Sequence, residues 1–272
     1  MPSIEDHKDN DVLKSLSWVF GIIYAVLFGG SLTFQVYVNY RNKSTKGYST
    51  DYALTSFVGF FFLVLNQTIG LIDQTTDAGR VHTMDMFFSQ AAFFCSASAY
   101  TQTMIYPSHS ALRSTRLTVG IILAIFFMAA MLETQFGIPL KAYCFISLID
   151  LAAFIKAGSS LIKYMFQIRE NWVNKSTQGV SKLAVWSDMF GGFFCFLQLE
   201  VDSVIAGYSS FLVDPHLNLA KVLIATFGFI NTNIILIQMH CLYPDKKRKK
   251  MVHEDSSVDM DSYYRMDTDM DN

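Results

Sequence analysis

The sequence predicts an all-α integral membrane protein, with seven transmembrane helices arranged as two parallel three-helix repeats joined by a linker helix. One observation is composition, because 51% of the 272 residues are hydrophobic and only 16% are charged. The charges also gather at the chain ends and in short breaks between long apolar runs. About 20 apolar residues cross a ~30 Å hydrocarbon core as a helix, whereas barrel strands alternate over about ten residues. Runs of this length therefore predict helices, and an internal repeat predicts their grouping.

Seven apolar segments approach or reach spanning length: residues 15–38, 52–73, 84–106, 117–136, 140–168, 183–208 and 217–243. Basic residues concentrate in every second loop, and the densest cluster, Lys246–Lys250, follows the last segment. Lys and Arg favour the cytosolic side of a membrane protein. This alternation fits only an odd number of spans with the N-terminus outside, and so lumenal in an organelle, and the C-terminus in the cytosol.

The internal repeat links two stretches that follow outside-to-inside helices. Residues 35–49 read QVYVNYRNKSTKGYS and residues 167–181 read QIRENWVNKSTQGVS, with eight identities at one offset that also aligns Gly59 with Gly191. Repeats that enter the membrane in the same direction are parallel, and transporters place substrate between such halves. We divide the chain into a lumenal N-terminus, a first repeat, a linker helix, a second repeat and a cytosolic tail: 1–14, 15–106, 107–136, 137–243 and 244–272.

Ionisable residues within a span are functional candidates, because each costs at least about 2.5 kcal/mol at the helix centre. Lys156 and Lys163 fall on one face of the fifth span, together with Ser160 and Gln167. This polar stripe predicts a water-filled pathway or an anion-binding surface. Simple interhelical hydrogen bonding is the alternative.

Three further ionisable residues stand out. Asp188 lies in an apolar stretch early in the sixth span. Burial favours a neutral carboxyl group and a nearby lysine favours its charged form, so Asp188 could take up a proton or serve as a structural partner for the lysines. Asp85 opens the third span, where a helix N-terminal acid is also expected. Lys221 is close enough to the lumenal boundary to snorkel.

No enzyme constellation is present in the sequence, which lacks an HExxH motif, a Walker loop, a GxSxG elbow and a cysteine pair with metal-ligand spacing. We therefore predict a protein that is not an enzyme and that needs no cofactor, metal or nucleic acid.

The duplicated Gln-x-x-x-Asn and Lys-Ser-x-x-Gly stretches resemble the PQ-loop superfamily. LIKYMFQ (161–167), SDMFGGFFCFLQ (187–198) and DMFFS (85–89) are similar to signature segments of its lysosomal cystine transporter family. This resemblance covers about residues 15–243. It implies proton-coupled export of L-cystine from the lysosome or vacuole by alternating access. It also implies proton-coupling roles at Asp188 and Asp85, and substrate-facing roles at Lys156, Lys163, Tyr164, Gln167, Gln35 and Lys221.

The chain departs from the family pattern at several positions. Phenylalanines 34 and 166 replace the proline of both Pro-Gln pairs, and Ser56 and Ala184 stand where Asn is expected. The alternatives are a transporter of another small amino acid, or a seven-helix receptor or trafficking protein without solute flux. In the tail, Tyr263–Met266 is compatible with a tyrosine-based sorting signal and predicts cytosolic sorting adaptors as partners, besides cystine, protons and the lipid bilayer.

Overall fold

The computed structural model describes residues 4–72, 83–107, 113–136, 148–210, 212 and 219–244. Their regular structure is helical and consists of seven α-helices and a five-residue π-turn, Gln238–Leu242, that continues the last helix. The α-helices are α1 (Ile4–Asn42), α2 (Thr50–Ile72), α3 (Thr83–Ile105), α4 (Arg113–Phe136), α5 (Leu148–Asn174), α6 (Lys182–Ile205) and α7 (Leu219–Ile237).

The predicted fold class is confirmed for the described residues, which form an all-α membrane protein with seven helices and two repeats. Four helical segments are long and apolar enough to cross a membrane by composition alone, namely Asp11–Asn42, Thr50–Ile69, Thr115–Glu133 and Ala225–Leu242. In α5 the charged and polar residues of the stripe interrupt the apolar run. Composition alone therefore does not identify α5 as a membrane span. The helix can cross a membrane because its polar side chains lie inside the bundle.

The fifth helix extends beyond its predicted limit at residue 168 and ends at Asn174. The charged residues after Gln167 suggested a loop, yet the Asn174 amide donates a hydrogen bond of 2.8 Å to Glu170 Oε1 one turn earlier. Exposed polar pairs of this spacing stabilise a helix outside the hydrocarbon core. The start of the predicted segment, 140–147, lies outside the described residues.

The two repeats interlock through their first and second helices. Helix α1 packs most extensively against α6, and α2 packs most extensively against α5. Helix α3 completes the first repeat against α1 and α2, and α7 completes the second repeat against α5 and α6. Each repeat thus supplies one helix to each of the two main interfaces, which gives the bundle a pseudo-two-fold arrangement.

Helix α4 stands apart from this arrangement. It makes few contacts with other helices, and it exposes a row of large apolar side chains, among them Leu117, Ile121, Ile125, Met128 and Met131. Apolar side chains on a helix with this little packing suit a lipid environment. This agrees with a linker between repeats, while the limits of the five predicted units stay a prediction.

Two glycines at equivalent positions allow the main interfaces to close. A Cβ atom on Gly59 would lie 2.8 Å from Ser159 Cβ in α5, and one on Gly191 would lie 3.1 Å from the Phe28 ring in α1. Gly59 and Gly191, which the repeat offset aligns in the sequence, therefore have equivalent roles. Gly59 allows α2 to approach α5 closely, and Gly191 allows α6 to approach α1 closely.

Candidate functional site

The site begins at the two connections that carry the repeated motif. We call residues 43–49 the first loop and residues 175–181 the second loop. Their backbones match, because Lys43 and Lys175 both have positive φ angles, 46° and 48°, and Gly47 and Gly179 have φ angles of 84° and 94°. The sequence repeat is thus also a repeat of backbone conformation.

Each loop is held by a glutamine of the opposite repeat. Gln35 Nε2 donates to the Gly179 carbonyl at 2.9 Å, and Gln35 Oε1 accepts from the Ser181 amide at 2.9 Å. Gln167 forms the same two bonds with the Gly47 carbonyl and the Ser49 amide, both at 2.9 Å. The two glutamines therefore cross-link the repeats. Both side chains also line a cavity beneath the loops. Their contact with a substrate stays a prediction.

The two loops touch each other through their backbones. A Cβ atom on Gly47 would lie 1.7 Å from the carbonyl oxygen of Gln178, and one on Gly179 would lie 2.1 Å from that of Lys46. No side chain fits between two backbone segments at this separation. The structure is therefore closed at the loop end.

Beneath the loops lies a cavity of about 30 Å³ whose wall includes Ser31, Tyr52, Tyr164, Asp188 and Thr232. One water needs about 10–15 Å³ of such volume, so the cavity has room for about two waters and not for an amino acid. Both repeats contribute to its wall. In this closed form the cavity is therefore too small to hold an amino acid between the repeats.

Asp188 is buried at this cavity, with 8% of its surface exposed. The Tyr164 hydroxyl donates a hydrogen bond of 3.0 Å to Asp188 Oδ2. Tyr48, Tyr52 and Tyr164 stack edge to face, with ring centroids 5.5 and 5.7 Å apart, and connect the first loop to the carboxylate. Burial, with a further contribution from the charge of Asp188, raises the pKa of Tyr48 in the loop above its ordinary value, so this hydroxyl stays protonated.

The polar stripe of α5 faces the protein interior, as predicted from its spacing. Lys156, Ser160, Lys163 and Gln167 are all at most 6% exposed. Lys163 Nζ lies 4.5 Å from the centroid of the Tyr164 ring and 5.3 Å from that of Tyr52.

Lys156 Nζ lies 3.6 Å from the centroid of Phe60. Within the described part of the chain, neither Lys156 nor Lys163 has a carboxylate within 4.0 Å. Asp188 is therefore near the lysines without forming a direct ion pair with them.

The charged groups described at this site all come from the second repeat. The repeat offset pairs Lys156 with Tyr24, Lys163 with Ser31 and Asp188 with Ser56, and the three first-repeat residues are buried and neutral. The sequence indicated the second-repeat residues through their charge. It missed Tyr48, Tyr52 and Phe60, whose only signal was their position in or just after the repeated segment.

Two predicted site residues are placed only by their helices. Asp85 lies in the first turn of α3 and Lys221 lies near the start of α7, and their side chains are outside the described part of the structure. The tail segment Tyr263–Met266 lies outside the described residues altogether. The roles assigned to these residues stay predictions.

One hydrogen bond breaks the symmetry of the repeats. In the second repeat, Asn171 Nδ2 donates to Gln238 Oε1 at 2.8 Å, and Gln238 Nε2 donates to the Ile168 carbonyl at 3.0 Å. In the first repeat, Gln102 Nε2 donates to the matching Val36 carbonyl at 3.0 Å. Asn39 Nδ2 and Gln102 Oε1, however, are buried and find no hydrogen-bond partner among the described residues. The asparagine–glutamine bond is therefore formed in one repeat only.

This asymmetry predicts different effects for two otherwise matched substitutions. Both asparagines also accept a hydrogen bond from a glutamine of their own helix, at 2.8 Å for Asn39 and 2.9 Å for Asn171. Asn171→Ala should lower the free energy of unfolding by about 1–3 kcal/mol more than Asn39→Ala, because both leave a glutamine N–H unpaired but only the former also leaves the Gln238 carbonyl oxygen newly unpaired. Denaturation by SDS in mixed micelles measures both values, and equal losses would contradict the assignment.

The sequence is similar to known proteins over most of its length. Residues 16–68 and 148–204 match the family model described as PQ loop repeat. The chain is 26% identical to a Cystinosin homolog of Dictyostelium discoideum over 87% of its own length and 84% of that protein. It is 26% identical to Cystinosin of Bos taurus over 87% of its length and 66% of that protein. It is also 24% identical to a Cystine transporter of Saccharomyces cerevisiae, over 69% and 79% of the two chains.

Proposed function

We propose, from the premise that this chain carries two PQ-loop repeats and is similar to cystinosins over most of its length, that it exports L-cystine by proton-coupled alternating access. The observation that carries the proposal is the buried Asp188 beside two buried lysines, at a closed cavity between the repeats. A buried ionisable group in a membrane protein marks a solute or proton pathway by default.

Cystine suits these charges because it has two carboxylates and two ammonium groups. Lys156 and Lys163 would attract carboxylates, and Asp188 would attract an ammonium group when it is ionised. Tyr164 would orient the carboxyl group of Asp188 through its hydrogen bond. Gln167, Gln35 and Lys221 complete the proposed substrate-binding set.

Transport would follow from the closed loop end. In an acidic lumen, Asp188 and Asp85 would take up protons as substrate enters from the side opposite the loops. Rocking of the two three-helix units would then break the Gln35 and Gln167 bonds to the loops and part the loops. Proton loss to a near-neutral cytosol would favour release there. Asp188 would take up and release one proton in each cycle.

The proposed setting is the lysosomal or vacuolar membrane, with the N-terminus in the lumen and the C-terminus in the cytosol. The support is the concentration of Lys and Arg at the loop end of the bundle and at Lys246–Lys250. Cytosolic sorting adaptors would bind the tail through Tyr263–Met266. The protein would act as a transporter and not as an enzyme.

Uptake of labelled cystine into liposomes that contain the purified protein tests the proposal directly. We expect uptake to rise when a proton gradient is imposed across the membrane and to collapse when a protonophore removes it. An uptake rate that is the same with and without the proton gradient would reject proton coupling. A folded, correctly oriented preparation without cystine flux would reject cystine as the substrate.

A second candidate is transport of a different small amino acid. Ala184 lines the cavity, and Ser56 is buried on α2 one turn after Tyr52, which also lines it. Both are smaller than the Asn expected from the resemblance. A smaller wall with fewer amide groups would change which side chains fit. Competition of a panel of unlabelled amino acids against labelled cystine distinguishes the two. Failure of the whole panel would favour a receptor or trafficking role without flux.

A further inference from the structure

Lys156 has an unusual environment for a buried cation. Its side chain is 3% exposed, and it forms neither an ion pair nor a hydrogen bond with another described residue. Its nearest charged neighbours in the site are Lys163 on its own helix and Asp188 on α6. The close partner of its ammonium group is the ring of Phe60 on α2, at 3.6 Å from the ring centroid.

The contact with α2 involves two consecutive residues. A Cβ atom on Gly59 would lie 3.6 Å from Lys156 Cδ, so the lysine stem passes over Gly59 and its head reaches Phe60. Phe60 itself is 5% exposed and packs edge to face against Phe88, with centroids 6.2 Å apart. The ring therefore has packed neighbours on both α5 and α3.

The pseudo-symmetric positions in the other half show that this pairing is particular to one repeat. The repeat offset matches Lys156 with Tyr24 and Phe60 with Gly192. In that half the aromatic ring belongs to α1, and the matching residue of α6 is a glycine that lies against Phe229 of α7. In the half where α5 carries Lys156, the facing helix α2 therefore carries an aromatic ring, Phe60.

We propose that Phe60 is a positioning residue that keeps the Lys156 ammonium group charged and oriented while no anionic group of a substrate is bound. The face of an aromatic ring attracts a cation, and the attraction grows when water is excluded. Unlike a carboxylate, a ring face leaves the ammonium group without a strong partner that a substrate carboxylate would have to displace. The inference rests on the proposed function only in taking the substrate to be a carboxylate.

Phe60→Leu tests this role through the pH dependence of KM for cystine. Loss of the ring favours the neutral amine, so KM should be about tenfold higher than in the wild type at neutral pH, and should rise as pH increases. Phe60→Tyr keeps the ring face and should keep the wild-type profile. The matched control is Phe62→Leu, because Phe62 is fully buried on the same helix and packs against Phe126, with centroids 4.7 Å apart.

An arginine rescue separates positioning from simple packing. Because a guanidinium group stays protonated at any pH of interest, Lys156→Arg added to Phe60→Leu should remove the rise of KM with pH, whereas Lys163→Arg should not. A Phe60→Leu profile parallel to that of Phe62→Leu would overturn the proposal.

A measurement without flux keeps the inference separate from the proposed function. Acetylation of Lys156 by an N-hydroxysuccinimide ester, followed by mass spectrometry, requires the neutral amine. Its rate relative to the exposed loop residue Lys46 should increase severalfold in Phe60→Leu, more than the rate of Lys163, whose ammonium group lies farther from the same ring at 5.5 Å, and remain unchanged in Phe60→Tyr and Phe62→Leu. Unchanged rates in all three variants would reject the inference, while absence of cystine uptake by the wild type would reject only the proposed function.

Discussion

Asp188→Asn is expected to abolish proton-driven cystine uptake while the protein stays folded. Asparagine has nearly the same shape as aspartate, and its carbonyl oxygen can still accept the Tyr164 hydrogen bond that holds the group at the cavity. It cannot take up or release a proton, so the cycle loses the step that depends on pH. Uptake into liposomes with and without an imposed gradient should become equal, at the level of protein-free liposomes or of slow exchange.

Counterflow and a second acid provide the controls for this result. Exchange of cystine across the membrane without a gradient needs no net proton movement and should outlast the loss of driven uptake. Asp202→Asn alters an acid on the same helix that accepts a hydrogen bond from Ser17 away from the cavity, and it should keep the gradient response. A gradient response that survives Asp188→Asn unchanged would eliminate the residue as the coupling site.

Gly47→Ala is expected to destabilise the closed form of the protein more than any other single substitution discussed for the loops. The added methyl group would lie 1.7 Å from the Gln178 carbonyl oxygen, and the backbone at Gly47 has a φ of 84°. A left-handed conformation alone costs an L-residue roughly 1–2 kcal/mol. With the overlap added, the loss should reach at least about 3 kcal/mol in unfolding free energy. If the protein instead relieves this overlap, the two loops should move apart.

Gly207→Ala separates backbone strain from steric overlap. Gly207 also has a positive φ, 90°, but a Cβ atom there would meet nothing within 4 Å. Gly207→Ala should therefore lower the unfolding free energy only by the roughly 1–2 kcal/mol that a left-handed backbone costs an L-residue. Loop parting can be followed in an Ala184→Cys background, because Ala184 lines the cavity and is 7% exposed. Thiol labelling at position 184 should accelerate with Gly47→Ala and not with Gly207→Ala; equal labelling would show that the loops do not close the cavity.

The fold was predictable because its signals are local and repeated. Apolar runs of spanning length and the two copies of the motif are visible without any knowledge of contacts, and the stripe Lys156–Ser160–Lys163–Gln167 follows from helix geometry. The structure buries all four side chains of that stripe, while their role in a pathway or an anion site stays a prediction. The helix α5 continues to Asn174, past the predicted span end at 168, because charge marks the membrane boundary whereas a helix can continue past it into water.

The role of the two glutamines in the bundle was not predictable from one sequence. Gln35 binds the second loop and Gln167 binds the first, so each bond joins residues more than a hundred positions apart. The repeat indicated that the positions are equivalent, but it contained no information that their partners would be exchanged. Phe60 was not predictable for a different reason: the chain has 24 phenylalanines, and this one is distinguished by the nearby ammonium groups of Lys156 and Lys163.

The π-turn at the end of α7 has a consequence for the history of the repeats. Gln102 is followed by four residues before Pro107, and its counterpart Gln238 is followed by five before Pro244, although both stretches end in Tyr-Pro. An extra residue in an α-helix would rotate everything after it by about 100°, whereas a π-turn absorbs it locally. After the ancestral duplication, one copy could therefore gain a residue inside a helix and still present its downstream Tyr-Pro corner on the same side. Alignments of the two halves should accordingly allow a single-residue gap within the third helix, where gaps are normally penalised most.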